Sequence, residues 1–292
     1  MTSRLAIEDA ARAACEAVGL DTASLEVLHH HATPVYLLRQ LDIVVRVSRG
    51  DDRIRAADSV QLTRWLAEQD VPVTEPAGVD QPVETADVAV TFWRYYPQAP
   101  DLPRPGAAEL GAALRRLHQL PAPPVTLRPY QPLTRLGSVL ARPSWLPAAD
   151  HSWLANSREQ LLADYDRLDS TLGVGLVHGD AYPGNTLWDG DRVILGDWDE
   201  AATGPRELDL VNTHQGARMG RSQAERDAFT TAYGWDVTSW AGWPTLRAMR
   251  DLHTLAAFIE RGAGGDRSAA AEVEHRVATL RAGDTAARWH SA

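Results

Sequence analysis

The chain has 292 residues and a formal net charge of −10, enough length for one large or two modest domains around a substantial core. That charge argues against a binder of nucleic-acid backbone, which needs clustered cations, and no stretch is apolar for long enough to span a bilayer. A cationic partner suits the acidic balance better. All of the basic residues other than histidine are arginine, so any mechanism that requires a catalytic lysine is excluded. Asparagine occurs only at Asn156, Asn185 and Asn212, a bias against A-rich codons that says nothing of function by itself. The single cysteine, Cys15, can form no internal disulfide and reads as a small buried apolar residue of a reducing compartment.

The first twenty or so residues carry Asp and Glu inside an amphipathic pattern instead of a basic-then-apolar signal, so a cytoplasmic location is expected. Residues 25–97 read as a small sheet with one crossing helix. Strands are expected at 35–38, 43–47 and 87–95, each a β-branched or aromatic run bounded by turn residues. Between them Ile54, Ala57, Leu62 and Trp65 recur at helical spacing and predict an amphipathic helix on that stripe. The stretch PQAPDLPRPG, with four prolines, is the best linker, which divides the chain into an N-terminal lobe of 1–97 and a C-terminal lobe of 98–292. Beyond it helices are expected at 107–120, 158–168, 223–233, 243–261 and 267–282.

One β-like interruption breaks this helical half. Leu176-Val177 leads into His178-Gly179-Asp180, and a Pro-Gly turn then precedes Asn185. Thr186-Leu187-Trp188 and Val193-Ile194-Leu195 flank Asp189-Gly190-Asp191, a strong hairpin signal. Antiparallel pairing about that turn sets Asn185 opposite Leu195 or Gly196, next to Asp197, with Asp180 on the loop entering the same end. Three oxygen-bearing side chains in such an arrangement suit a hard divalent cation such as Mg²⁺. From Asp180 to Asp209 there are eight carboxylates against two arginines, a surplus that is costly unless solvated or neutralised by metal. Asp189 and Asp191 read as turn residues.

These residues carry a resemblance. His178-Gly179-Asp180 with Asn185 five residues after the Asp, then Leu195-Gly196-Asp197-Trp198-Asp199, then Gly204-Pro205-Arg206-Glu207-Leu208-Asp209-Leu210, is similar to the aminoglycoside phosphotransferase family, a small-molecule branch of the protein-kinase-like fold. The resemblance implies an α+β, bilobal kinase-like fold with a small N-terminal sheet and a larger, mainly helical C-terminal lobe. It implies an ATP- and Mg²⁺-dependent kinase that moves the γ-phosphate to a hydroxyl of a small molecule. Cationic antibiotics such as aminoglycosides, with a role in resistance, are among the acceptors it brings into view; sugars, amino alcohols and macrolides stay open. Carried over by position, Asp180 would accept the proton of the attacking hydroxyl, while Asn185 and Asp197 would hold the metal. His178 would brace the loop, and Asp209 would anchor it from a following helix.

The N-terminal half departs from the family pattern. A kinase-like small lobe needs a cation on its third strand, and with no lysine Arg46 is the candidate for the phosphate grip. Alone, an arginine alternating with Ile43, Val45 and Val47 reads as solvent-facing. The expected acid partner is Asp58, in place of the usual glutamate, set along the apolar stripe of the crossing helix. There is no G-x-G-x-x-G loop; the corresponding turn is His29-His30-His31-Ala32-Thr33-Pro34, whose adjacent histidines point different ways and read as a solvent loop, not a metal site. Phe92 to Tyr96, including Trp93, resembles the hinge whose backbone meets adenine, although the same aromatics serve equally well as core. The acidic side chains of the C-terminal helices that could face a cationic acceptor are Glu225, Asp227, Asp251, Glu260, Asp266 and Glu272. Two rival readings are a catalytically silent nucleotide-binding protein on the same fold and a metal-dependent hydrolase built on His178 and the acids around it. No nucleic-acid or membrane partner is expected, and the residues leave the oligomeric state open.

Overall fold

Ile7, Ala11, Ala14 and Cys15 fall on one face of helix α1 (Arg4–Ala17), and all four are buried. They pack on the sheet residues Tyr36, Leu38, Val45, Val47, Val88, Val90 and Phe92, forming the core of the N-terminal sheet. Burial pushes the Cys15 thiol up to about 11, so it behaves as the apolar residue expected of it. The computed structural model describes residues 4–30, 34–85 and 87–290; His31, Ala32 and Thr33, the middle of the histidine-rich turn, and the side chains of His29 and His30 lie outside the described residues.

The sheet is antiparallel with strand order β1-β2-β3-β5-β4, comprising β1 (Leu25–His30), β2 (Pro34–Leu38), β3 (Ile43–Arg49), β4 (Val83–Glu84) and β5 (Val88–Arg94). In the β3–β5 register Val45 faces Phe92 and Arg46 faces Thr91, so period-two alternation puts Val45 and Val47 in the α1 core and Arg46 on the other face. That other face is crossed by α2 (Asp51–Glu68), three residues longer at each end than its expected stripe.

The buried stripe of α2 is not the one its large apolar residues suggested. Ala56, Ser59, Val60, Leu62, Thr63 and Leu66 are buried, whereas Ile54 is 72% exposed and Asp58 is exposed. Ala56, Ser59 and Thr63 are small enough for close approach; Thr63 Oγ1 donates to the Ser59 carbonyl at 2.7 Å, and Ser59 Oγ donates to the Trp198 carbonyl at 3.4 Å. Small polar residues therefore mark the packed face, and the apolar stripe was misplaced.

The chain divides into two compact units. One comprises the N-terminal residues up to Pro105 together with Gln119–Arg128 and Pro183–Ala201; the other comprises Gly106–His118, Pro129–Tyr182 and everything from Ala202 onward. The first unit therefore contains, besides the sheet, the hairpin of β7 (Thr186–Asp189) and β8 (Arg192–Leu195). Leu195 ties that hairpin to the segment following α2, donating to the Pro72 carbonyl at 2.9 Å and accepting from the Thr74 amide at 3.0 Å.

The second unit is mostly helical: α3 (Ala107–His118), α4 (Thr134–Leu140), α5 (Ala148–Tyr165), α6 (Leu208–Gln215), α7 (Gln223–Tyr233), α8 (Trp243–His253), α9 (Leu255–Ala263) and α10 (Arg267–Arg281). Helix α7 matches its expected bounds because both ends are written locally: a Ser222/Glu225 capping box starts it, and Gly234 at φ +91° ends it. It lies close along α3, where a Cβ on Gly111 would come within 2.6 Å of the Phe229 carbonyl. The single helix expected at 243–261 is instead two, separated at Thr254, and α4 had no sequence signal. Two strands, β6 (Val174–Val177) and β9 (Ala202–Pro205), pair antiparallel with Gly175 opposite Gly204. The ion pair Arg218–Asp251 is fully buried at 2.9 Å, with Gln215 also donating to Asp251 at 3.0 Å. Among the described residues, no helix is long and apolar enough to cross a membrane.

Candidate active site

In the second unit, strand β6 ends by delivering His178, Gly179 and Asp180 into a loop. Gly179 takes φ +83°, a conformation open to glycine without strain, and this turns the two preceding amides toward one acceptor. That acceptor is Asp209, in the first turn of α6: its carboxylate receives the His178 amide at 2.7 Å and the Gly179 amide at 2.9 Å. His118 Nε2 lies 3.0 Å from the same carboxylate, and His118 Nδ1 lies 2.9 Å from the Tyr233 hydroxyl. Burial alone would raise the Asp209 pKa, but the His118 hydrogen bond and the positive potential of His118 and His178 outweigh it and hold the group below the ordinary carboxylate value. Glu207, also fully buried, accepts from Ser170 Oγ at 2.7 Å and the Leu172 amide at 2.8 Å, fixing the segment that leads into β6.

The Asp180 carboxylate is thus carried on a pinned loop. Its Oδ1 accepts from Asn212 Nδ2 at 3.2 Å and is ion-paired with Arg250 Nη2 at 2.9 Å, so α6 and α8 each contribute one orienting group. Neither partner was legible in the sequence. Asn212 was marked only by the rarity of asparagine, and Arg250 by nothing, because the packing of α8 on α6 is what brings it there.

In the first unit the hairpin has the register expected of it. Thr186 faces Leu195, and the Gly196 amide donates to the Asn185 carbonyl at 2.8 Å. Asn185 closes a 3-10 turn, Pro183–Asn185, while Asp197 has φ +61° and opens a second one, Trp198–Glu200. Aspartate tolerates this left-handed conformation better than most residues. Trp198 is buried and its indole donates to the Leu195 carbonyl at 3.0 Å, locking the bend that presents Asp197. Asn185 and Asp197 therefore leave the same end of the hairpin, supplying one amide oxygen and one half-exposed carboxylate. Hard oxygen donors of this kind fit Mg²⁺, which takes few protein ligands and completes its shell from phosphates and water. Among the described residues no group of three or more His, Cys, Asp or Glu side chains is arranged to hold a metal by itself.

Arg46 reaches this carboxylate cluster. Its Nη2 lies 3.2 Å from Asp197 Oδ1 and 2.7 Å from Asp199 Oδ2, and its Nη1 lies 3.4 Å from Asp199 Oδ1. Burial disfavours its charge, but Asp199 and then Asp197 outweigh burial, and its pKa is raised. The expected pairing with Asp58 is not formed. Asp58 is on the exposed face of α2, and the guanidinium is held by acids that follow the hairpin, because an arginine on the inner strand face meets the hairpin side of this unit and not the solvent side of the helix. Asp58→Ala is therefore expected to leave nucleotide affinity and the melting temperature essentially unchanged, within about 0.5 kcal/mol in stability, in calorimetric titration with MgATP and a thermal melt.

The acid surplus of this region is also met differently from the sequence expectation. Arginines from elsewhere in the same unit neutralise it: Arg55 and Arg128 each lie 3.1 Å from Glu200, and Arg94 lies 3.1 Å from Asp189. Trp93 takes the core role. It is buried and paired with Val44 across the β3–β5 ladder, its indole donates to Thr91 Oγ1 at 2.8 Å, and the next two amides go to the Glu75 and Asp42 carbonyls.

Solved structures share the fold of this chain. An amicoumacin kinase solved with AMP-PNP, Ca2+ and Ami superposes with a TM-score of 0.73 at 14% identity, over 92% of this chain and 91% of that one. A microcompartment-associated aminopropanol kinase gives 0.71 at 18% identity, over 96% and 99%. An aminoglycoside phosphotransferase from Streptomyces rimosus gives 0.59 at 20% identity, over 84% and 98%. These likenesses establish the α+β kinase-like fold. No curated protein matches the chain. The phosphotransferase enzyme family profile, APH, matches residues 24–252, which include the His178–Asp180 loop, the hairpin and Arg46, and the chain belongs to that family.

Proposed function

We propose that this phosphotransferase moves the γ-phosphate of ATP to a hydroxyl of a small molecule. The observation that carries the reading is the Asp180 carboxylate, held on a loop whose two amides are pinned by buried Asp209 and oriented by Asn212 and Arg250. A carboxylate so fixed can orient an alcohol and take its proton as the oxygen attacks phosphorus, the positioning role that phosphoryl transfer requires. Asn185 and Asp197 would hold Mg²⁺, and the bound metal supplies neutralisation of the nucleotide phosphates. Arg46 would grip the same phosphates. Its bidentate pairing with Asp199 can persist while the single contact to Asp197 Oδ1 is surrendered, leaving that oxygen for the cation.

The test is ATP turnover with a panel of hydroxyl compounds, combined with thermal melts. MgATP near a hundredfold excess over its Kd is expected to raise the melting temperature by about 5–10 °C, a rise of about 2.7 kcal/mol spread over a chain of this size. Asp197→Ala should lose most of that rise. An unchanged rise in the variant, or no ATP-dependent phosphorylation of any alcohol, would count against the reading.

A further inference from the structure

Within the first unit, Asp197 opens the 3-10 turn Trp198–Glu200, and each side chain of the turn has its own partner in that unit. Trp198 is buried, and its indole donates to the Leu195 carbonyl at 3.0 Å. Glu200 sits between two arginines, with Arg55 Nη1 at 3.1 Å from Oε1 and Arg128 Nη2 at 3.1 Å from Oε2. Asp199 places both carboxylate oxygens on Arg46, 2.7 Å from Nη2 and 3.4 Å from Nη1.

Helix α2 supports this turn with donors and not with an acid. Arg55 and Ser59 are four residues apart and share one helix face. Ser59 Oγ donates to the Trp198 carbonyl at 3.4 Å, and Arg55 Nη1 donates to the Asp199 carbonyl at 3.5 Å. The backbone that carries Asp199 is thus held from α2 and by the anchored residues on either side of it.

The two carboxylates that meet Arg46 are not equivalent. Asp197 makes one contact, at 3.2 Å, from a side chain 49% exposed; Asp199 makes two, from a side chain 26% exposed. The Arg46 side chain is only 19% exposed, and a largely buried guanidinium is costly without a counter-ion. A carboxylate given over to Mg²⁺ cannot also serve that guanidinium in full, whereas Asp199 can keep both of its contacts.

We infer that Asp199 is the positioning residue for Arg46: it holds the guanidinium for the nucleotide phosphates, the task first sought on α2 at Asp58, and it keeps Arg46 from claiming Asp197 when the metal binds. The inference rests on the phosphate-gripping role of Arg46 proposed above and adds the acid that sustains it. The link between strand and helix is thereby inverted in charge, since α2 gives a cation and a hydroxyl to the turn and the turn gives the acid to the strand.

The test is a double-mutant cycle on the full chain with Arg46→Met and Asp199→Asn, read by calorimetric titration with MgATP and by the Mg²⁺ concentration that half-saturates ATP binding. Asp199→Asn is expected to weaken MgATP binding by about 10-fold and to raise the half-saturating Mg²⁺, because Arg46 then turns to Asp197. In the Arg46→Met background the same substitution should change either quantity by no more than about twofold. A raised Mg²⁺ requirement in both backgrounds would make Asp199 a metal ligand and overturn the inference, as would MgATP affinity unchanged by Asp199→Asn alone. Both results leave the phosphotransferase reading standing, whereas a wild-type chain that binds no MgATP would bring down that reading and the inference with it. If Asp199→Asn alone does not fold, Arg46→Met and the double variant, in which neither charge is left unpaired, decide the question: a further loss of MgATP affinity beyond about twofold in the double variant overturns the inference.

Discussion

Replacing Asp180 by asparagine is expected to lower phosphate transfer by about 10³-fold while leaving MgATP affinity within about twofold. Asparagine keeps an oxygen that can accept from Asn212 and Arg250, so the loop and its orientation survive, but it cannot take a proton. Nucleotide affinity should persist because the Arg46 contacts to Asp197 and Asp199 and the Gly196–Asn185 backbone bond lie wholly within the other unit. Coupled ATP turnover with a responsive alcohol reads the first effect, and calorimetric titration the second. A variant that retains near wild-type turnover would remove Asp180 from the proton-accepting role. One that loses nucleotide binding as well would show that the loop had collapsed.

The largest stability effect is expected at Asp209. Asp209→Ala deletes a fully buried carboxylate that serves the His178 and Gly179 amides and His118, leaving two buried polar groups and one part-buried amide without their acceptor. A loss of about 3–5 kcal/mol is expected, measurable by denaturant unfolding. Because the same residue pins the Asp180 loop, activity should fall even at temperatures where the variant is folded. The pH dependence has a definite sign. The folded pKa of Asp209 is depressed below 3.8, so its contribution is present above that ordinary value and is lost as pH falls through the lower folded value. The stability gap between wild type and variant should therefore be flat at neutral pH and shrink in strongly acidic solution. A gap that instead widened on acidification would mean that another group, not Asp209, supplies the anchoring charge.

The contrast between Arg46 and Asp58 shows where reading by position stops. Arg46 was singled out because the chain lacks lysine, and alternation along β3 correctly placed it on the face opposite the α1 core. Its partner was then sought on the helix next in sequence. The acids that meet it, Asp197 and Asp199, lie 151 and 153 residues later, and no local pattern encodes such a distance. Arg250 illustrates the same limit from the other direction: an unremarked arginine on α8 becomes the counter-ion of the proposed base once α8 packs on α6. The acidic residues of the C-terminal helices show a related limit: Asp251, Glu260, Asp266 and Glu272 are each paired with an arginine, and exposure cannot be told from pairing until the arginines are placed.

By itself the sequence determined the local chemistry: the His178-Gly179-Asp180 turn, the register that puts Asn185 beside Gly196 and Asp197, the α7 caps and the exclusion of any catalytic lysine. Each of these depends on neighbours a few residues apart, through backbone geometry, side-chain period or turn preference, and so is written in short windows. Only the tertiary structure decided which charges meet and which stripe of α2 is buried. Those outcomes depend on which faces of distant elements pack together, and Coulomb partners follow from that packing and not from order along the chain.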